Sequence, residues 1–290
     1  MLDLFEPILN LIRLTSTDSP SEVESALQRS LGQEAPGSAA AGALETILNN
    51  IALSRRNSTP ICQDTGTPIF YVRYPESMSS RLLAQTIRRA VADATKRSYL
   101  RPNSVNALTE KNTGNNLGDD YFPIIHFEEV EGDPFIVDLM LKGGGCENVG
   151  AQYSLPYNNL QAGRDLGGVR KVVLDAVQRA QGQGCAPGFL GVSIGGDRGT
   201  GYLVSKEVLF RKLEDINPDA GLAQLEKRLT EEANQLGIGP MGFGGKTTLL
   251  GVKIAAMHRL PASYFVTLSY MCWAYRHRRM TVRAEQVTYD

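Results

Sequence analysis

The residues Pro60-Ile61-Cys62-Gln63-Asp64-Thr65-Gly66-Thr67 lead into the apolar run Ile69-Phe70-Tyr71-Val72. A glycine-containing turn followed by β-branched and aromatic residues predicts a loop that enters a β-strand. Such a loop is a common mount for reactive side chains, because the strand is rigid and glycine lets a ligand approach the backbone. The stretch is therefore a candidate site at the start of a strand.

This candidate site offers three kinds of chemistry in successive positions. Cys62 supplies a thiol, whose thiolate is a soft ligand for a metal or an iron–sulfur cluster. Gln63 supplies an amide, and the carboxylate of Asp64 can transfer a proton. Taken alone, a cysteine beside an aspartate is more often a buried apolar filler than a ligand. The interpretation therefore depends on the rest of the chain.

Helical periodicity dominates the N-terminal side of the candidate site. Apolar residues at helical spacing predict a first helix over residues 4–12 and another over 44–51. Between them, Ser19 and Pro20 predict the N-cap and first residue of a helix, because serine caps helices well and proline is tolerated in the first turn. The small and polar residues 32–42 predict a loop.

On the C-terminal side, strands alternate with helices. Apolar runs bounded by Gly, Pro and Asp predict strands, and longer amphipathic stretches predict helices. Helices are expected over residues 82–91, 169–180, 203–213 and 222–236, and strands over 122–127, 135–141, 189–194, 248–255, 264–271 and 280–283. The chain is thus predicted to be α+β, with a helical N-terminal part followed by mixed β-sheets with surrounding helices, in a single domain over residues 1–290.

Composition excludes several functional classes. The 290 residues carry 30 Lys and Arg against 31 Asp and Glu. The chain therefore lacks the excess of basic residues that would indicate nucleic-acid binding. No apolar run approaches the roughly 20 residues that a membrane span needs. The start, Leu2-Asp3-Leu4-Phe5-Glu6, has acidic residues where a signal peptide has basic ones. We therefore expect a cytoplasmic protein with reduced thiols.

Two charged or glycine-rich features remain open at this stage. The basic cluster Arg276-His277-Arg278-Arg279 fits either a solvated strand end or a patch that meets an anionic substrate or a partner subunit. Four glycine-rich loops, at residues 111–116, 142–148, 195–199 and 237–248, can aim backbone N–H groups at an anion, although ordinary tight turns are the alternative. The last loop contains Gly245-Lys246-Thr247 but has Pro240 where a P-loop needs glycine, so nucleotide binding is rejected.

Several motifs, taken together and in order, resemble the class I fumarase family, and most closely its α subunit. L-tartrate dehydratase α subunits share the same framework. The resemblance runs from about Cys62 to Arg279. It is carried by Ile61-Cys62-Gln63-Asp64-Thr65-Gly66, Leu100-Arg101-Pro102-Asn103, Lys111-Asn112-Thr113-Gly114, Lys142-Gly143-Gly144-Gly145, Gly237-Ile238-Gly239-Pro240, Gly244-Gly245-Lys246-Thr247-Thr248 and Cys272-Trp273-Ala274-Tyr275-Arg276.

The resemblance implies a [4Fe–4S] cluster held by three cysteines, Cys62, Cys185 and Cys272. Three thiolates bind three irons, and the fourth iron keeps open positions for substrate oxygens, where it acts as a Lewis acid. The resemblance gives Cys146 no ligand role, and we interpret it as a loop residue near the site. At Leu260 the family usually has histidine, a departure for which His258 is the nearby substitute.

The resemblance also implies the roles of the substrate-contacting residues. Gln63 and Asp64 would touch the substrate, with Asp64 as the catalytic proton donor to the departing hydroxyl. Arg101 would clamp a carboxylate, for which its bidentate fork is suited, and Gly144 would offer a backbone contact. None of the recognised motifs supplies a base, so the resemblance implies a hetero-oligomer in which a separate β subunit provides it.

The function implied is therefore a hydro-lyase α subunit that interconverts (S)-malate and fumarate, a reaction of the tricarboxylic acid cycle. Tartrate dehydratase or a mesaconase-type lyase is the nearest alternative. A non-catalytic iron–sulfur sensor is an alternative of another class, but it would not need Gln63, Asp64 and Arg101. A phosphate-binding module would depend only on the incomplete P-loop.

Overall fold

The computed structural model describes residues 3–119, 121–132 and 134–290. Leu2, part of the N-terminal run considered above, lies outside them. The chain forms two compact units, and each unit is made of segments that are separated in the sequence. The first unit comprises Met1–Pro20, Asn49–Gly144 and Arg276–Asp290, and the second comprises Ser21–Leu48 and Gly145–Tyr275. The expectation of a single domain over residues 1–290 stays a prediction.

Helices and strands follow one another along the chain as an α+β protein requires, and the predicted fold class is confirmed. The helices are α1 (Phe5–Thr17), α2 (Ser21–Gln33), α3 (Ala39–Asn57), α4 (Ser80–Lys96), α5 (Gly144–Asn148), α6 (Leu166–Ala180), α7 (Arg198–Glu207) and α8 (Ala220–Gln235). The strands are β1 (Thr67–Pro75), β2 (Ile124–Val130), β3 (Phe135–Lys142), β4 (Ala151–Ser154), β5 (Gly188–Ile194), β6 (Leu249–Ala256), β7 (Phe265–Met271), β8 (His277–Arg283) and β9 (Gln286–Tyr289).

The first unit is built on a mixed five-stranded sheet in the order β2-β1-β3-β8-β9. Strand β1 pairs with β2 in parallel and with β3 in antiparallel register, with Phe70 opposite Leu139. The apolar faces of α1 and α4 contribute Ile8 and Ile87 to the same core, and both side chains are fully buried. This packing fixes the ends of β1 and β3, which carry the candidate site.

The second unit is built on a mixed four-stranded sheet in the order β4-β7-β5-β6. Strand β5 is buried at every position, as expected of a central strand covered on both faces. Helices α6 and α8 are capped at their N-termini by Asp165 and Asp219, whose carboxylates accept backbone hydrogen bonds from Gly168 and Leu222. Their apolar faces join the strand residues in one core.

Most predicted elements are present, and the differences lie at element ends. Helix α2 begins at Ser21, one residue after the predicted Pro20, and α3 begins at Ala39, so the loop predicted over residues 32–42 is shorter. Helix α7 begins earlier than residue 203 because the Asp197 carboxylate caps it, accepting from the backbone N–H groups of Gly199 and Thr200. The short elements α5, β4 and β9 were not predicted.

The basic cluster at the start of β8 is not a solvated strand end, and its contact with an anionic substrate or a partner subunit stays a prediction. Arg279 pairs with the buried carboxylate of Asp138, its Nε lying 2.6 Å from Oδ1. Arg278 lies 3.5 Å from Asp18. All four residues are buried or half-buried, so their charges serve internal contacts of the first unit.

No helix within residues 3–119, 121–132 and 134–290 has both the length and the apolar character needed to cross a membrane.

Candidate active site

The candidate loop of the first unit is anchored at its start by two helices. The backbone N–H of Ile61 donates to the Ser16 carbonyl at the end of α1, at 2.9 Å. The side-chain amide of Asn50, on α3, donates to the Ile61 carbonyl at 2.8 Å. Both contacts fix the backbone immediately before Cys62, which is half-buried. The polar residues that follow therefore leave the loop from a fixed point.

The carboxylate of Asp64 is held by two backbone N–H groups. Its Oδ1 accepts from Gly66 at 3.0 Å and its Oδ2 accepts from Gly144 at 2.7 Å. Gly66 has φ +80°, and a Cβ there would lie 2.7 Å from the carbonyl carbon of Lys142. Only glycine therefore lets the loop dock on the end of β3. The Asp64 side chain itself remains exposed, so its carboxylate is aimed but not covered.

A cleft of about 490 Å³ lies beside this loop in the first unit. Three residues with functional side chains line it, namely Cys62, Gln63 and Arg101. The structure thus brings three of the predicted site residues of this unit to one cleft, whereas Asp64 adjoins them along the chain, between the cleft-lining Gln63 and Thr65. The rest of the lining consists of Pro60, Thr65, Thr95, Ser98, Leu100 and Pro102.

Two buried polar residues hold the backbone of Arg101 in place. The Thr65 hydroxyl accepts from the Arg101 N–H at 3.1 Å, and the Asn116 amide donates to the Arg101 carbonyl at 2.8 Å. Asn116 is 2% exposed, and its Oδ1 also accepts from the backbone N–H groups of Asn103 and Ser104. The sequence did not single out Thr65 or Asn116, because no local pattern marks a polar side chain that will bond a distant backbone.

In the second unit, Cys185 and Cys272 lie on neighbouring segments. The Cys185 carbonyl accepts a hydrogen bond from the backbone N–H of Trp273 at 3.2 Å, which joins the turn after α6 to the end of β7. Cys185 has φ +56°, a left-handed conformation that turns the chain sharply at this point. The backbones of two of the predicted ligands are therefore close in space, although the residues are far apart in the sequence. Cys185 is half-buried and Cys272 is buried.

Tyr270 lies beside these two cysteines and Cys146. Its ring packs so closely on the backbone that a Cβ at Gly184 or Gly188 would lie within 2.5 Å of ring atoms. Burial raises the pKa of Tyr270, and the thiols of Cys146, Cys272 and Cys185 add to the rise. Cys146 is buried and lies on the short helix α5, not in a loop as predicted. Its exclusion from the ligands stays a prediction.

The donor chemistry fits the cluster that the sequence implies. Cys62, Cys185 and Cys272 carry reduced thiols, and two of them are partly accessible. No group of three or more His, Cys, Asp or Glu side chains forms a ready metal site in the part of the chain that the structure describes. Cys62 belongs to the first unit and the other two to the second. The convergence of the three thiols stays a prediction.

The P-loop-like segment of the second unit is an anion site already filled by the protein. Both oxygens of the Glu34 carboxylate accept from the Lys246 N–H, at 2.8 and 3.0 Å, and Oε1 also accepts from Thr247 at 3.0 Å. Glu34 is 7% exposed. The segment leads into strand β6 rather than into a helix. These contacts agree with the rejection of nucleotide binding, since the carboxylate occupies the position of a phosphate.

His258 and Leu260, considered above for a missing histidine, are both exposed in the second unit. The backbone carbonyl of His258 accepts from the Gly196 N–H at 3.1 Å, so the backbone at this residue supports one of the glycine-rich turns.

Comparison with known proteins gives a consistent result. The family model described as fumarate hydratase (fumerase) matches residues 6–281. A protein of Geobacillus stearothermophilus named as a class I fumarate hydratase is 52% identical over 279 residues, which cover 95% of this chain and 54% of that relative. The chain thus spans about half the length of this relative.

Two further relatives match over most of both chains. A protein of Methanocaldococcus jannaschii named as an L(+)-tartrate dehydratase α subunit is 31% identical, with 95% of this chain and 96% of the relative covered. The L(+)-tartrate dehydratase α subunit of Escherichia coli strain UTI89 is 30% identical, with 97% of this chain and 91% of the relative covered.

Proposed function

The chain belongs to the fumarate hydratase family of hydro-lyases, and we propose that it is the α subunit of an enzyme that interconverts (S)-malate and fumarate. The observation that carries the proposal is the Asp64 carboxylate. It is exposed, it accepts from the N–H groups of Gly66 and Gly144, and its sequence neighbours Gln63 and Thr65 line a cleft. A small dicarboxylate is the substrate class that this cleft suits.

Each polar group of the cleft has a task in this reaction. Arg101 binds one substrate carboxylate through its planar fork of donors. Gln63 donates from its side-chain amide to a second substrate oxygen. The backbone N–H of Gly144 donates to the Asp64 carboxylate, so Gly144 lies next to the catalytic group. Asp64 gives a proton to the hydroxyl as it departs and recovers it in the reverse, hydration, direction. The contacts that hold the Arg101 backbone tie this residue to Thr65 of the Asp64 loop.

The metal chemistry is assigned to Cys62, Cys185 and Cys272. Bound by these three thiolates, a [4Fe–4S] cluster would supply a Lewis acid that weakens the bond between carbon and the leaving hydroxyl. The chain holds these three cysteines as free thiols, with Cys62 and Cys185 half-buried and Cys272 buried. Reduced thiols suit the cytoplasm, which is where we propose that the protein works.

The missing base indicates a partner. Dehydration also requires a group that removes the carbon-bound proton, and no side chain in the cleft is placed in that role. We therefore propose that a separate β subunit supplies the base and further cations, and that the enzyme is a hetero-oligomer. The relatives named as α subunits, which match along nearly their whole length, support this division of labour.

L-tartrate dehydration is the second candidate, since two of the relatives carry that name. The higher identity of 52% to a protein named as a fumarate hydratase favours malate and fumarate. A mesaconase-type reaction would use the same cleft. A non-catalytic iron–sulfur sensor is less consistent with an exposed Asp64 beside Gln63 and Arg101.

A substrate panel tests the proposal. The chain would be purified anaerobically with iron and sulfide, alone and with its co-expressed β subunit, and assayed with fumarate, (S)-malate, L-tartrate and mesaconate. We expect hydration of fumarate by the assembled pair and none by the chain alone. Activity restricted to tartrate or mesaconate would identify the alternative substrates, and turnover by the chain alone would contradict the division between subunits.

A further inference from the structure

Arg276 is a buried cation that contacts the Asp64 loop from behind. It precedes β8 and is 1% exposed, which makes it the largest of the fully buried side chains. Its Nη1 donates to the backbone carbonyl of Asp64 at 2.5 Å. Its own carbonyl accepts from the Leu141 N–H at 2.9 Å, which ties it to the end of β3. The residue therefore joins the two segments that meet at the Asp64 carboxylate.

Arg276 has no carboxylate within 4 Å, the distance of an ion pair, among the described residues. Its Nε is buried and has no hydrogen-bond partner there, and its one side-chain hydrogen bond goes to a neutral carbonyl. Arg279, three residues later on β8, instead forms two hydrogen bonds with the Asp138 carboxylate. A buried guanidinium without an ion pair is costly. Such a group is expected where its position serves a purpose other than stability.

The position of the guanidinium indicates that purpose. A Cβ built on Gly143 would lie 3.5 Å from Arg276 Nη2 and 2.9 Å from Asp64 Oδ2. The guanidinium and the carboxylate thus flank the same glycine backbone, one residue before the Gly144 N–H that binds Asp64. Nη1 of the guanidinium donates to the Asp64 carbonyl, and Nη2 lies beside the backbone of Gly143. The next residue, Gly144, supplies the second N–H donor to the Asp64 carboxylate.

We propose that Arg276 is a positioning residue for Asp64, which holds the carbonyl of the loop and the Gly143–Gly144 backbone in the arrangement that aims the carboxylate. The role as part of catalysis rests on the proposed function of Asp64. A planar fork spans the two segments, whereas lysine offers a single point of contact. A shift of about 1 Å in a catalytic group can lower the rate by roughly 100-fold.

Hydrogen exchange on the cluster-loaded complex tests the structural part. In Arg276→Met, which removes every donor, we expect the amides of Gly66 and Gly144 to exchange at least tenfold faster than in the parent protein. Arg276→Lys should lie between the two, since it retains one donor. Arg279→Lys, on β8, is the matched control. It weakens an ion pair but should leave these two amides unchanged. Unchanged exchange at Gly66 and Gly144 in Arg276→Met would overturn the proposal.

Kinetics tests the catalytic part. We expect kcat to fall roughly 10- to 100-fold in Arg276→Met, with partial recovery in Arg276→Lys and a smaller change in KM, because an acid is displaced rather than a binding group removed. In an Asp64→Asn background the Arg276 substitution should cause little further loss, as expected of residues that act as a unit. Additive losses, or normal kcat despite faster exchange, would contradict positioning through Asp64.

The two arms separate this inference from the proposed function. If the parent complex dehydrates none of the diacids, the proposed function fails, and the exchange arm still decides whether Arg276 holds the loop. If the parent complex is active and the exchange of Gly66 and Gly144 does not respond to Arg276→Met, the inference fails while the proposed function stands.

Discussion

Two glycine-rich loops of this molecule are each held by a carboxylate, and the two carboxylates differ in exposure. In the first unit, Asp64 accepts from the N–H groups of Gly66 and Gly144. In the second, Glu34 accepts from the N–H groups of Lys246 and Thr247. Asp64 is exposed beside a cleft, whereas Glu34 is buried. The same backbone chemistry therefore serves a candidate site in one unit and the fold in the other.

Glycine makes both arrangements possible, but it serves a different close contact in each loop. Gly66 lets the Asp64 loop approach the end of β3. At Gly245, with φ +125°, a Cβ would lie 2.8 Å from Glu34 Oε2, so glycine lets the carboxylate reach into the loop. An anion-binding loop that contains an internal carboxylate has no room for a ligand. Exposure of the carboxylate, rather than the glycine-rich sequence, distinguishes a site from a structural contact.

The largest expected effect is on turnover. Asp64→Asn should keep the cluster spectrum and lower kcat by roughly 100-fold or more, the scale of a lost general acid. The amide preserves the shape and one acceptor, so the loop should stay folded. The comparison is sharpened by Glu34→Gln, which should leave kcat close to that of the parent protein. Near-normal turnover in Asp64→Asn would move the acid role to the partner subunit.

The next effect concerns substrate binding in the cleft. Arg101→Ala should raise KM roughly 10- to 100-fold, because a hydrogen bond to a charged group contributes about 1.5–3 kcal/mol. Steady-state kinetics with fumarate measures it. Arg81→Ala, which removes an exposed cation of α4 away from the cleft, should leave KM unchanged. An equal rise in both variants would indicate a general charge effect instead of a clamp.

A smaller effect is expected on stability and lies in the second unit. Glu34→Ala removes the acceptor of the Lys246 N–H and of the buried Thr247 N–H, which should lower the free energy of unfolding by about 1–3 kcal/mol. Urea denaturation measures the change. Glu45→Ala, at an exposed position of α3, should change it by less than about 0.5 kcal/mol. If the two variants were equally stable, Glu34 would not hold the loop.

The smallest effect is a pH dependence confined to the first unit. Burial lowers the pKa of His277 from 6.5 to about 4, and the charge of Arg278 adds to the shift. The folded state therefore binds fewer protons than the unfolded state between these values. The contribution of His277 to stability is complete above pH 6.5 and declines as pH falls to 4, by at most about 1.4 kcal/mol per pH unit.

Hydrogen exchange between pH 7 and pH 5, corrected for intrinsic rates, should show this decline in β8 and not in β6. The decline should be absent in His277→Gln. If β8 of the His277→Gln variant showed the same pH response, the pH dependence would come from titratable groups other than His277.

Local patterns in the sequence were sufficient for most of the fold. Helical periodicity marked α1 and α4, which each bury one stripe, and apolar runs marked the largely buried strands β1 and β5. Helix α5 was not predicted, because it begins in a run of glycines whose helix propensity is poor and only tertiary contacts select it. The start of α3, at Ala39, was misplaced for a similar reason, since Gly42 suggested a loop.

The candidate site could be predicted only where its chemistry is local. Cys62, Gln63 and Arg101 lie in motifs, and they do line one cleft. The supports of the site depend on partners far apart in the chain. Arg276 contacts Asp64 across 212 residues of sequence, and the Arg101 N–H bonds the Thr65 hydroxyl across 36. Sheet topology creates such pairs, and no short pattern encodes them.

The most direct test of the contrast between the two carboxylates is hydrogen exchange in the assembled, cluster-loaded enzyme with and without saturating fumarate and malate. We predict that the diacids slow exchange of the Gly66 and Gly144 amides and leave those of Lys246 and Thr247 unchanged. Protection of the Lys246–Thr247 loop with none at Gly66 and Gly144 would contradict the assignment, because the ligand would then bind at the loop held by Glu34.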